Sequence, residues 1–173
     1  MQLSVKSKTD MEAVKTSLQS LKSSSILGSK RVNSLTISEA MQSVQISKAE
    51  RIDRNGTLAV LIQACGELIK KTGSQETCTA SDMANMILNT FWNFKIDEIV
   101  LVLHWGLMGR FGKLYGKLTE MVVIDWFNQY DEKRDQQIED EHIAKKNAMF
   151  DRSERTMSTE TAWKAITPFI KKL

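Results

Sequence analysis

Proline occurs once in the 173 residues, at Pro168. A proline removes a backbone donor and blocks the helical turn before it, and all-β proteins normally carry several at strand edges and turns. A chain that reaches residue 167 without one is unconstrained by ring closure and can be helical throughout. It is also rich in Ala, Glu, Lys, Gln, Met and Leu, which favour helix. The expectation is a single all-α domain of about five to six helices, with a long helix in the C-terminal half.

Apolar spacing supports that expectation along most of the chain. Residues 1–34 form a basic, Ser-rich N-terminal arm, with nine Ser and six Lys or Arg against two acids. Within it Met11, Val14, Leu18 and Leu21 make one helical stripe after a capping-box spacing at Thr9 to Glu12, which predicts a short amphipathic helix over about 10–22. The arm is expected to dock loosely. The all-helical domain then runs over 35–173. Thr36 and Glu39 open its first helix, with Ile37, Ala40, Met41 and Val44 on one face. Leu58, Leu61, Ile62, Cys65, Leu68 and Ile69 mark the next, closed by Lys70, Lys71 and a C-cap glycine, Gly73. Thr79 or Ser81 opens a helix that buries Met83, Met86, Ile87 and Phe91.

Residues 96–103 are rich in β-branched side chains and could form a buried strand. No second strand is available to pair with it. Asp97 and Glu98 suit a first helical turn, and Ile96, Ile99, Val100, Leu103 and Leu107 fit a helical stripe. Thr119 starts the longest helix, on the stripe Val123, Trp126, Phe127 and Tyr130, which continues as the mixed-charge run 131–141. That stripe could also seed a homo-oligomer. Trp163, Ile166, Phe169 and Ile170 predict a short last helix interrupted at Pro168. No internal repeat is visible.

The charge of +3 and pI of 8.8 permit nucleic-acid contact without demanding it. No apolar run approaches the roughly 20 residues of a membrane span, and no secretory h-region follows Met1, so a cytoplasmic protein without membrane association is expected. Cys65 and Cys78 are too few for a disulfide scaffold. Neither His104 nor His142 has the close partner that zinc sites use, so no metal is expected. His104, inside an apolar run, reads as a packed core histidine rather than a catalytic base. Phosphate-loop, dinucleotide, G-x-S-x-G and H-E-x-x-H patterns are absent, so neither an enzyme nor a cofactor is expected.

One constellation remains, Gly106 to Lys117, with four of the eight glycines at spacings of 3, 3 and 4. Such a segment should turn tightly between two buried helices. Arg110, Phe111, Lys113, Tyr115 and Lys117 interleave cations with aromatic faces, which suits phosphate contact and base stacking, or a protein hot spot. The alternative is a compact connection whose aromatic residues plug the core.

The same residues carry a resemblance. Asp97-Glu98-Ile99, the glycines 106, 109 and 112, Tyr115-Gly116-Lys117-Leu118, and Trp126-Phe127-Asn128-Gln129-Tyr130 before Glu132 and Arg134 resemble uncharacterised small helical proteins of gut-bacterial phages and mobile elements. The resemblance spans about residues 94–134. Those proteins sit among replication genes and look like helicase-loader or replisome-organiser accessories. It implies a non-enzymatic accessory protein in DNA replication or metabolism that binds a helicase or initiator partner, with nucleic-acid contact alongside. A chain without a phosphate loop would act there by binding alone. The competing expectation is an inhibitor or anti-defence protein that docks on a host protein or complex through the charged helix 131–146.

Overall fold

The structure, a computed structural model, describes residues 3–21, 25–75, 78–114 and 117–156, with side chains described from 8 to 149. These residues form eight helices and no strand: α1 (Leu3–Leu21), α2 (Lys30–Ser34), α3 (Ile37–Ala40), α4 (Ile46–Ile52), α5 (Arg54–Thr72), α6 (Ala80–Thr90), α7 (Ile96–Leu107) and α8 (Glu120–Thr156). The fold is all-α. Two more helices occur than the spacing predicts, because α2 and α4 are five and seven residues long, too short to show a periodic stripe. The last helix expected around Trp163 lies outside the described residues. Contacts divide the chain into two units, 1–132 and 133–173.

Local chemistry sets most of the boundaries in the first unit. Thr36 and Glu39 form a reciprocal capping box on α3. Asp53 caps α5 by accepting from Gly56 N at 2.8 Å, and Gly73 closes it. Thr79 caps α6 by accepting from Asp82 N at 3.1 Å. Glu98 reaches back to accept from Lys95 N at 2.8 Å at the start of α7.

α7 is the centre of this unit, buried on every side from Ile96 to Gly106. A helix that is apolar all round belongs inside a core, which resolves the strand-or-helix ambiguity in favour of helix. Only the residue before it pairs in a β-like manner. Gln45 and Lys95 form an isolated antiparallel bridge, in which Ile46 N donates to Phe94 O and Ile96 N to Val44 O, each at 2.9 Å. The bridge therefore ties together the starts of α4 and α7. The first-turn acids are buried but engaged. Asp97 pairs with Arg31, and Glu98 also accepts from the Tyr130 hydroxyl at 3.5 Å.

The start of α8 closes one side of the core. Val123, Trp126, Phe127 and Tyr130 are all buried within the chain. Phe127 stacks on Phe91 with ring centroids 4.1 Å apart, and Tyr130 meets Trp105 edge-on at 5.9 Å. The described part of the N-terminal arm is packed rather than loosely docked. Val14, Leu18 and Leu21 of α1, together with Ile26, Leu27 and Val32, are core residues. The physical reason is Glu67 of α5. Its carboxylate accepts from Ile26 N at 2.6 Å, Leu27 N at 3.0 Å and Ser25 Oγ at 3.0 Å, satisfying donors that a buried turn would otherwise strand. In the second unit, α8 carries an ion pair one turn apart, Lys145 with Glu141 at 4.0 Å, and leaves Ile143 and Met149 exposed.

Candidate binding surface at the glycine-rich segment

α7 ends because the chain turns at two glycines. Gly109 has φ +73° and Gly112 φ +104°, backbone that side chains other than hydrogen rarely tolerate. Arg110 N donates back to Trp105 O and Gly112 N to Gly109 O, at 2.9 and 3.1 Å. The turn brings residues 110–114 beside the first turns of α8.

The five residues singled out from the sequence divide there. Phe111 faces inward and is half-buried, tilted against Trp105 at 6.1 Å and stacked near Trp126 at 6.3 Å with planes 23° apart. Arg110, Lys113 and Lys117 are exposed. The Arg110 guanidinium lies over the Trp105 ring, 4.7 Å from its centroid, an arrangement that orients the cation without consuming its hydrogen bonds. Tyr115 lies outside the described residues.

Between the turn and α8 runs a groove of about 430 Å³, lined by Phe111, Gly112, Lys113, Leu114, Met121, Val122, Asp125 and Trp126. Its floor is apolar and aromatic, with Lys113 and Asp125 as the charged lining residues. Met121 is 72% exposed, and Met108, just before the turn, 65%. Flexible, polarizable methionines on a surface suit adaptable apolar contact. Sequence reasoning placed the cations but not Met121 or the inward-facing Trp126 as parts of one groove. The usable signal was the apolar Met121-Val122 pair inside the first turn of a solvent-facing helix.

His104 is buried and hydrogen-bonds through Nδ1 to Leu27 O at 2.8 Å. A carbonyl can only accept, so Nδ1 carries the proton. Burial, the Arg110 guanidinium and the Lys71 ammonium together hold the imidazole below its ordinary range, against the opposing pull of the Leu27 carbonyl. Burial pushes the Cys65 thiol up to about 12, with Cys78 adding to the shift. Among the described residues, no group of three His, Cys, Asp or Glu side chains is placed to hold a metal, and no helix is long and apolar enough to cross a membrane.

No protein-family model, no curated protein and no solved structure matches this chain. The surface therefore has to be interpreted from its own chemistry.

Proposed function

We propose that this chain is a non-enzymatic accessory protein in the DNA replication or metabolism of a phage or mobile element. It acts in the cytoplasm by binding a helicase or initiator, with nucleic-acid contact alongside. The partner docks in the groove between the glycine turn and α8. The observation that supports this reading is the groove itself, an apolar floor of Phe111, Leu114, Met121 and Val122 edged by Lys113 and Asp125. Arg110 and Lys117 add exposed positive charge on the same segment. Such a surface suits a short apolar partner segment flanked by acids, because the anchors fill a pocket while the rim charges steer encounter.

The test uses the purified helicase and initiator from the same genome, with nuclease present. Met121→Glu and Lys113→Glu alter exposed side chains and should leave the fold intact. Each is expected to weaken binding at least about tenfold, the effect of losing one well-placed anchor or charge contact. Wild-type affinity in both variants removes the groove from the interaction. Absence of binding to either replication protein removes the replication reading.

A second reading has its own observation. Ile143 is 50% exposed and Met149 74% exposed on the charged α8, which would serve an inhibitor or anti-defence protein that docks on a host protein. Ile143→Asp would then abolish host-protein binding and leave the groove variants without effect.

A further inference from the structure

Basic side chains from α5 and from the end of α7 gather near one turn. Leu27 O accepts the Nδ1 proton of His104, so the ring's second nitrogen, Nε2, keeps its lone pair, and it makes no hydrogen bond among the described residues. Gly28, the next residue in the turn, is exposed, and a β carbon there would stand 3.4 Å from Lys71 Nζ. Arg110 approaches from the end of α7, its guanidinium fixed over Trp105, the neighbour of His104.

Glu67 is the acid that stands at this turn. It lies on α5 one turn before Lys71, and its two oxygens already accept from Ser25 Oγ, Ile26 N and Leu27 N. The turn itself, residues 25–28, carries no ionisable side chain. Burial, and after it the charges of Arg110 and Lys71, oppose protonation of His104. An anion placed among the three would reverse that cost, because it would favour both fixed cations and the imidazolium at once.

We infer that Lys71, His104 and Arg110 form a binding site for a phosphate group, carried either by a nucleic-acid backbone or by a small phosphorylated molecule. Arg110 offers a planar, pre-oriented fork for phosphate oxygens, and Lys71 a mobile point charge. His104 takes a proton from solvent at Nε2 and becomes a donor to the bound oxygen, while its Nδ1–H stays on Leu27. The site does not depend on the identity of the groove's protein partner.

The two histidines of the chain make the test direct, because His142 is exposed on α8 and serves as an internal reference. Imidazole resonances of the intact protein would be followed against pH at constant ionic strength, in chloride, in inorganic phosphate and with a short oligothymidylate. Phosphate is expected to move the His104 titration upward and leave that of His142 in place. Lys71→Gln and Arg110→Gln should each weaken phosphate binding about tenfold. Lys71 is exposed, so Lys71→Gln remains informative should Arg110→Gln disturb Trp105. A larger response to the oligonucleotide assigns the site to a nucleic-acid backbone; a response to phosphate alone assigns it to a small phosphorylated molecule. The inference is overturned when His104 responds to neither ligand, or when it moves equally in Lys71→Gln. Unchanged partner affinity in Lys71→Gln keeps this result separate from that of the groove.

Discussion

Gly106 lies directly beneath the indole of Trp126, so close that a β carbon at 106 would fall inside the ring's van der Waals surface. The glycine that begins the turn-forming segment is thus required by packing, not by backbone conformation, and it seats the aromatic wall of the groove.

Gly106→Ala should consequently destabilise the protein. In an unhindered helix the change would gain about 0.5–1 kcal/mol from backbone entropy. Here Trp126 is only 4% exposed and cannot swing aside, so an overpacking cost of about 1–3 kcal/mol should outweigh that gain. Urea unfolding measures the sum. A variant as stable as the parent would mean that Trp126 is not seated on α7.

Glu67→Ala removes the acceptor shared by Ser25, Ile26 and Leu27 and leaves two backbone donors of a packed turn without a partner. The expected loss is about 2–3 kcal/mol, within the range for hydrogen bonds to a charged group. Amide exchange at Ile26 and Leu27 should accelerate more than exchange along α7, because the damage is local. Uniform acceleration would instead show that the turn has no separate opening.

Stability should fall on mild acidification, partly through His104. Its folded-state affinity for a proton is depressed below that of an ordinary imidazole, about 6.5, so the unfolded chain binds the proton more readily. The contribution is fully present above about pH 6.5 and is lost as pH drops through the lowered folded value. Urea midpoints of the parent and of His104→Gln, compared between pH 5 and 8, isolate it from the carboxylates. The parent should show the steeper decline. Parallel profiles would contradict the burial of a neutral imidazole.

Thiol labelling should separate the two cysteines. Cys65 is buried with its ionisation pushed up to about 12, so at pH 8 almost no thiolate is present to react. Cys78 is half-buried and should be alkylated first by iodoacetamide, with Cys65 reacting at a comparable rate only in denaturant. Equal labelling in the native protein would place Cys65 outside the core.

The parts of this fold that the sequence announces are those that carry their own signals. α5 and α6 combine an apolar stripe with a capping residue, and Thr119 precedes α8 as predicted, accepting from Val123 N through its carbonyl at 3.3 Å. α2 and α4 lack such signals, because a helix of five or seven residues is defined by what it packs against. The grip of Glu67 on a turn some 40 residues earlier is a tertiary event, invisible to any local window. The same distinction divides the candidate surface. The glycines announce a turn, but the inward direction of Phe111 depends on Trp126, which lies in the next helix. Lys71 could be read locally only as a helix-end cation, not as a neighbour of His104.

The enclosure of α7 also bears on how the protein is made. Residues 96–107 emerge from the ribosome ahead of Phe127 and Tyr130, the aromatic residues of α8 that close over this core. For that interval the most apolar segment of the chain has an uncovered side, and it is the stretch a holdase chaperone would recognise and the one that would seed aggregation after premature termination. A chain truncated before residue 118 should therefore be recovered in inclusion bodies, because its central helix would lack the last wall of its enclosure.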